Sequence, residues 1–333
     1  MIEMPIFEDE NWYLQQVKKA MIDGRFKNKD KINAVYKRRC IEISKTLEEI
    51  ISDDDFKQIH KQSTLFEKLV LSSYEELQCI YKKIQDDADE IFTDIVTDDK
   101  GNQKKIIKEK WKCIYELYDK MVNKNFNIEL VQKYGVKCCP YCNENYIINR
   151  RRKNGKSYAM AQIDHFYPRD RFPVFAVSLY NLVPVCAACN HIKSTQEIVI
   201  SPHNHKYDFS HIKISYSPKS ADWIDNPDSI EILFKYDEHD KEFREGMEAN
   251  LDSMGVNSSY STHTDYVQEI LKKAQVYGKE TRRNLLNDFP DLFSSDAELI
   301  RIIFGNYIEK NELLKRPLSK LTQDLLHELG IIK

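Results

Sequence analysis

Glycine is scarce in this chain, since only 9 of its 333 residues are glycine. Average proteins contain about 7% glycine, and long stretches rich in Lys, Glu, Leu and Ile accompany the scarcity here. Long apolar runs are also missing, because none approaches the ~18 residues that a membrane-spanning helix requires. These absences favour a largely helical globular protein and argue against a helical membrane protein.

No secretory signal is expected, because the first ten residues contain no basic stretch followed by an apolar one. Disulfides form mainly in oxidising compartments, so the 8 cysteines are expected to be thiols or metal ligands. We therefore expect a cytoplasmic protein. Cys40, Cys79 and Cys113 lie in helical patterns and are expected to be buried, whereas Cys138 has no assigned role.

The chain carries a formal net charge of −3, but this charge is unevenly distributed. The segment 137–211 contains ten Lys and Arg against five Asp and Glu, a net charge of +5, so the rest of the chain carries −8. A basic segment in an acidic protein is suited to local contact with phosphate groups. A solvated hairpin would produce the same pattern, and that alternative stays open.

The chain is predicted to consist of three regions. Residues 1–135 show apolar residues at helical spacing and are predicted to form a helical N-terminal region. Residues 136–212 are predicted to form a small α+β core. Residues 213–333 are predicted to be mostly helical, with one further strand candidate at 230–236. The predicted fold class is therefore mainly α with a small α+β core.

The central region contains two β-like runs, at 145–150 and 157–163. The turn between them includes Asn154 and Gly155. Asn-Gly between strand-like runs is a strong hairpin signal, because both residues tolerate positive φ. A short extended segment at 182–185 follows farther along the chain.

Two Cys-x-x-Cys pairs flank the predicted hairpin. Four thiolates from two such pairs can hold one tetrahedral zinc ion, and a closed site of this kind stabilises a fold without doing chemistry. The predicted ligands of a structural zinc are Cys139, Cys142, Cys186 and Cys189. Similar pairs occur in zinc ribbons that only bind, so the cysteines alone do not establish catalysis.

The dipeptide Asp164-His165 lies between the two cysteine pairs, at the end of the second predicted strand. Hydrolysis of a phosphodiester at neutral pH requires an activated water and a cation that neutralises charge on the phosphate. A histidine with a pKa near neutrality can accept the proton of the water. Carboxylate and amide oxygens suit a hard cation such as Mg²⁺ or Mn²⁺. The arrangement therefore points to a metal-dependent nuclease.

The order Asp-His, Asn-Leu, Cys-x-x-Cys-Asn-x-x-Lys resembles the HNH endonuclease motif of the ββα-metal fold, in its zinc-containing branch. The resemblance covers residues 137–200. It implies that His165 is the general base and that Asp164 and Asn190 bind a catalytic Mg²⁺ or Mn²⁺. It also implies that Asn181 braces the loop and orients His165. The last letter of the motif is Asn here rather than His, and the family uses both residues at that place.

The resemblance implies an endonuclease that hydrolyses nucleic acid, with DNA favoured over RNA. Residues 201–209 and the flanking helices are similar to HNH proteins of bacterial defence against phage, in which the nuclease often partners an ATPase. A partner protein such as an ATPase, or self-association, is therefore expected, and no membrane. The alternative is a zinc-stabilised nucleic-acid-binding or assembly subunit of a defence complex, without catalysis of its own.

Contacts with the phosphate backbone are expected from basic residues close to the motif. Such contacts fix a protein on nucleic acid without reading its sequence. The residues expected to make them are Arg150, Arg151, Arg152, Lys153, Lys156 and Lys193.

Overall fold

The computed structural model describes residues 1–22, 29–56, 64–236 and 240–333. Across these ranges the chain is mainly helical, and its strands form small two-stranded antiparallel sheets. The predicted class, mainly α with a small β component, is therefore confirmed. Among the described helices, none is both long and apolar enough to cross a membrane.

The chain divides into two compact units, each built from separated segments. The first unit contains residues 6–135 and 149–197. The second unit contains residues 1–5, 136–148 and 198–333. The division into three regions that follow one another along the chain stays a prediction.

The described residues of the first unit form mostly helices, with three small sheets. Its helices are α1 (Glu10–Ile22), α2 (Lys29–Leu47), α3 (Leu65–Val70), α4 (Tyr74–Ile84), α5 (Ala88–Phe92), α6 (Glu109–Met121), α7 (Lys124–Tyr134) and α8 (Ala187–Lys193). Its strands are β1 (Thr93–Thr97), β2 (Gln103–Ile107), β3 (Arg150–Arg151), β4 (Ser157–Tyr158), β5 (Gln162–His165) and β6 (Leu182–Val185). β1 pairs with β2, β3 with β4, and β5 with β6.

Local signals explain where several of these helices begin and which face they bury. Ser73 caps α4, because its side chain accepts from the Glu76 N–H while the Glu76 carboxylate accepts from the Ser73 N–H. α6 buries Trp111, Ile114 and Leu117, which recur every three residues along one face. Tyr118 lies on the same side of α6, four residues after Ile114.

The hairpin β1–β2 was not predicted, because residues 1–135 were expected to be helical throughout. Its strands lie on either side of the turn at 97–102, and most of their side chains are exposed. An exposed strand pair without an apolar face gives little sequence signal.

The central hairpin is shorter than predicted. β3 and β4 pair over two residues each. The strand expected at 145–150 is wrong over most of its length, because the Ile147 N–H donates to the Lys137 carbonyl at 2.8 Å and Tyr146 forms a bridge with Cys138. This stretch therefore belongs to the turn that carries the first cysteine pair.

At the tip of the β3–β4 hairpin, only one of the two residues expected to tolerate positive φ adopts it. Gly155 adopts a positive φ of 81°, and its N–H donates to the Arg152 carbonyl at 2.9 Å. The Arg152 N–H in turn donates to the Lys156 carbonyl at 2.9 Å. Only the glycine takes the left-handed conformation, as in longer hairpin loops that end in such a residue.

The second unit combines one hairpin with six helices across its described residues. Its elements are β7 (Ile212–Pro218), β8 (Ile230–Tyr236), α9 (Lys241–Ser253), α10 (Val256–Tyr260), α11 (Thr264–Val276), α12 (Lys279–Asp288), α13 (Asp296–Phe304) and α14 (Ser319–Glu328). β8 confirms the strand predicted at 230–236. α14 packs on β7 through buried groups, since Asp324 accepts from the Ile214 N–H at 2.8 Å and from the Lys320 ammonium.

Candidate active site and metal centre

The first unit holds a strand–strand–helix segment formed by β5, β6 and α8. β5 runs antiparallel to β6, so that Asp164 lies opposite Val183 and His165 opposite Leu182. All four residues of β6 are buried, which anchors the segment in the core. α8 begins directly after Cys186, whose sulfur accepts from the Cys189 N–H at 3.5 Å.

A cleft of about 600 Å³ opens over this segment. Asp164, His165 and Asn190 all line it, so three of the four residues predicted to be catalytic share one cavity. The Asn190 side-chain amide donates to the Gln162 side-chain oxygen at 2.7 Å. That bond orients the amide, and the amide oxygen is the atom that could bind a cation. His191, one residue farther on, is an exposed part of the same lining.

His165 is held as a neutral imidazole. Its Nε2 lies 2.9 Å from the Ala176 carbonyl oxygen. Burial, reinforced by the positive charges of Arg169 and Lys193, lowers the pKa of His165 to about 3, against the raising effect of that hydrogen bond. A carbonyl only accepts, so Nε2 carries the hydrogen and Nδ1 is the basic nitrogen. At neutral pH the imidazole is therefore unprotonated, and Nδ1 carries the lone pair that could take a proton, while the lowered pKa makes it a weaker base than a free histidine.

Asn181 is fully buried and does not line the cleft. Its side-chain oxygen accepts from the Tyr167 N–H at 2.8 Å, and its amide donates to the Tyr167 and Phe175 carbonyls at 3.2 and 3.1 Å. The Asn181 carbonyl also accepts from the Phe166 N–H at 2.8 Å. The side chain therefore ties together the loop that follows His165, whereas its role in orienting His165 stays a prediction.

Lys193 lies in a different setting from the one expected. The expectation was a contact with nucleic acid, but its side chain is 0% exposed. Its ammonium donates to the Asp164 carboxylate at 3.1 Å and to the His165 carbonyl at 2.7 Å. A buried lysine requires such partners, because an isolated buried charge is very costly. Its role in this structure is to hold the end of β5 against α8, not to contact phosphate.

Several cleft residues had no predicted role. Tyr118 and Arg169 line the cleft beside His165. The Tyr118 ring centroid lies 4.3 Å from that of His165, and the Tyr118 hydroxyl donates to the Ile163 carbonyl at 3.1 Å. Tyr118 belongs to α6, where its helical spacing suggested only a core position. Arg169 contributed to the basic segment, but nothing in the sequence paired it with α6.

The predicted structural zinc ligands come together. Cys139, Cys142, Cys186 and Cys189 are all buried, and their sulfur atoms lie within 4.8 Å of one another. Four sulfurs at about 2.3 Å from a tetrahedral zinc would lie about 3.8 Å apart, so the donor set and its spacing fit zinc. The described residues form a buried four-cysteine cluster able to hold such an ion.

The turn after Cys139 has the local geometry of a metal knuckle. The Asn143 N–H donates to the Cys139 carbonyl at 2.8 Å, and Asn143 adopts a positive φ of 55°. The Glu144 N–H then points at the Cys142 sulfur at 3.4 Å. Backbone N–H donors directed at sulfur stabilise a thiolate, which is the form that binds metal.

The basic tip comprises the exposed side chains of the β3–β4 hairpin. Its residues are Arg150, Arg151, Arg152, Lys153 and Lys156. The Arg152 guanidinium lies 4.9 Å from the centre of the Tyr158 ring. Within the described part of the chain, none of the five forms an ion pair with a carboxylate. Five uncompensated cations on one hairpin form a surface suited to a polyanion.

Comparison of this chain with protein-family models, with curated proteins and with solved structures finds no match. The function is therefore argued from the site alone.

Proposed function

We propose that this protein is an HNH-type endonuclease that hydrolyses phosphodiester bonds in nucleic acid with the help of a divalent cation, with DNA favoured over RNA. The observation that carries the proposal is the cleft shared by Asp164, His165 and Asn190. These residues lie on β5 and α8, and the order β5–β6–α8 is the one that a ββα-metal core requires. A carboxylate, a neutral imidazole and an amide in one cleft are the groups needed for metal-assisted hydrolysis.

The roles follow from the chemistry of each group. The oxygens of Asp164 and Asn190 would hold Mg²⁺ or Mn²⁺, which neutralises charge that develops on the phosphate. Nδ1 of His165 takes the proton of the attacking water, while Nε2 stays bound to the Ala176 carbonyl. Asn181 keeps the intervening loop in place, so the imidazole has one orientation.

A zinc ion in the four-cysteine cluster would act differently. A closed set of four sulfurs leaves no position for water or substrate, so we assign this zinc a structural role. The two metals would therefore be separable by experiment, because a hard cation and zinc prefer different ligands.

A cleavage assay tests the proposal. Purified protein is incubated with plasmid DNA, single-stranded DNA or structured RNA, in Mg²⁺, Mn²⁺ or a chelator of hard cations. Wild-type protein should cleave at least one substrate when a divalent cation is present. His165→Ala should lower the rate by about 10²–10⁴, the usual contribution of a general base. The control is His327→Ala, which removes an exposed histidine of α14.

Two results would contradict the proposal. One is cleavage by His165→Ala at the wild-type rate, which would place the chemistry elsewhere. The other is a wild-type protein that binds nucleic acid but cleaves no substrate with any cation. The second result would favour the alternative, in which the same segment serves as a binding or assembly module.

A further inference from the structure

Arg169 occupies a constrained position at the edge of the candidate active site. It lies in the turn after β5, four residues beyond His165, and lines the same cleft. Its side chain is only 21% exposed. An arginine that serves only solubility extends into solvent, so this degree of enclosure indicates a more specific role.

Three side chains of α6 fix the guanidinium. Its carbon lies 4.3 Å from the centre of the Tyr115 ring and 4.9 Å from the centre of the Tyr118 ring. One of its nitrogens donates to the Asp119 carboxylate at 2.7 Å. Cation–π contacts with aromatic rings and a directed bond to a carboxylate both suit the planar guanidinium, which keeps further N–H donors for a second partner.

These contacts with α6 leave most N–H groups of the guanidinium available for a ligand. A guanidinium carries five N–H donors, and among the described residues Asp119 is the one side-chain acceptor bonded to Arg169. The second nearby carboxylate, Asp170, accepts instead from the Tyr115 hydroxyl at 2.8 Å. A planar group with free paired donors, fixed beside a general base, is suited to bidentate recognition of a phosphate.

The same helix also supports the base. The Tyr118 ring contacts both Arg169 and His165, with its centroid 4.9 Å from the guanidinium carbon and 4.3 Å from the centroid of the imidazole. α6 therefore sets the position of the guanidinium relative to the nitrogen that takes the proton. This coupling gives the N-terminal helical segment a part in the chemistry, which its sequence pattern did not indicate.

We propose that Arg169 binds a phosphate of the nucleic-acid substrate at the cleavage site, and that Tyr115, Tyr118 and Asp119 are positioning residues that hold it there. The inference rests on the proposed function, because it assigns the guanidinium to the substrate of that site. It extends the proposal by naming the group that neutralises a non-bridging phosphate oxygen alongside the metal.

Kinetics on variants provide the first test. Arg169→Gln should lower kcat/KM by about a hundredfold, the usual cost of removing one directed donor from a developing oxyanion. Arg169→Lys should restore only part of the loss, because lysine keeps the positive charge but lacks the paired N–H donors of a guanidinium. Tyr115→Leu should cost about two- to fivefold, since it removes one stacked ring, whereas Tyr115→Phe keeps the ring.

The matched control is Arg171→Gln. Arg171 lies two residues farther along, is 46% exposed, and is bound by Glu197 and by the Gln85 carbonyl rather than by α6. Its variant should cleave at the wild-type rate. A loss of equal size in the Arg171 and Arg169 variants would indicate a general effect of charge and would overturn the assignment.

Binding measurements separate this inference from the proposed function. In a His165→Ala background, fluorescence anisotropy reports the affinity for a short labelled oligonucleotide at several salt concentrations. Arg169→Gln should reduce the slope of log Kd against log salt by about 1, as expected for one lost phosphate contact. Circular dichroism on each variant checks that the fold is kept.

The outcomes are distinct. If wild-type protein cleaves and Arg169→Gln matches it in both kcat/KM and salt slope, Arg169 has no role and the proposed function stands. If wild-type protein neither cleaves nor binds any nucleic acid, both proposals fall. If Arg169→Gln fails to fold, Arg169→Lys is measured in its place. Wild-type kinetics from that variant would show that the paired N–H donors of the guanidinium are not needed, and would overturn the assignment.

Discussion

The four-cysteine cluster and the cleft are both candidate metal centres, and they differ in nearly every property. The cluster consists of four identical thiols that are all buried. The cleft combines a carboxylate, an imidazole and an amide with open space of about 600 Å³. Structural zinc sites are closed, whereas catalytic sites keep positions for water and substrate. Under the proposed function, stability and chemistry would therefore depend on separate groups in this chain.

Removal of the cysteine ligands should have the largest effect. Structural zinc contributes about 10–16 kcal/mol of apparent binding free energy in small zinc-finger peptides, and this energy is coupled to folding. We expect one zinc per chain by elemental analysis. Cys186→Ser should lose that zinc and lower the melting temperature strongly, with cleavage lost as a consequence of unfolding.

The control for this prediction is Cys113→Ser, which changes a cysteine of α6 outside the cluster. Cys113 is exposed, so the expectation that it is buried was wrong. The Cys113→Ser protein should keep both zinc and stability. A Cys186→Ser protein with the wild-type zinc content, or with an unchanged melting temperature, would show that the cluster is not a structural metal site.

The cysteine cluster was the easier centre to predict. Two Cys-x-x-Cys pairs in a chain without disulfides are typical of a zinc site, and each pair is local in sequence. Asp164, His165 and Asn190 were also predicted as a group, because the motif order fixes a strand, a strand and a helix in succession.

The surroundings of the cleft were not predictable, because they depend on distant segments. Arg169 meets Asp119 across 50 positions of sequence. The burial of Lys193 was missed for a different reason, because lysine is rarely buried unless it is paired. Its partner, Asp164, lies 29 residues away and was itself predicted as a metal ligand. Local patterns predict the elements, whereas such pairs form only in the tertiary fold.

Replacement of Lys193 tests whether the cleft binds a metal, and its effect on stability should be intermediate in size. Lys193→Met removes the buried ammonium that binds Asp164 at 3.1 Å. Loss of one partner from a buried ion pair costs about 3–5 kcal/mol, so the free energy of unfolding should fall by roughly that amount. If Asp164 binds a cation, added Mn²⁺ should recover part of this loss, because the metal replaces the missing charge.

Urea denaturation with and without Mn²⁺ measures this effect. Lys100→Met is the control, since Lys100 is an exposed lysine in the turn between β1 and β2. Equal stability of Lys193→Met and wild-type protein would show that the pair contributes nothing. A loss that Mn²⁺ does not reduce would argue against Asp164 as a metal ligand.

Replacement of residues in the basic tip should have the smallest effect, and it should change only the affinity for nucleic acid. Its arginines and lysines are exposed and without carboxylate partners among the described residues, so their replacement should leave stability unchanged. Changing Arg151, Arg152 and Lys153 to Gln should weaken binding of all nucleic-acid sequences alike, because contacts with phosphate carry no sequence information. Each lost contact should lower the slope of log K against log salt by about 0.9.

The β1–β2 hairpin supplies a matched control for the tip, because it is also an exposed strand pair with lysines on its surface. Changing Lys100, Lys104 and Lys105 to Gln removes the same charge from a different hairpin. If the tip binds phosphate, only its own triple variant should flatten the salt dependence. If both variants flatten it equally, the effect comes from net charge. If neither variant changes affinity at low salt, the tip is a solvated surface, and the cleft binds its substrate without it.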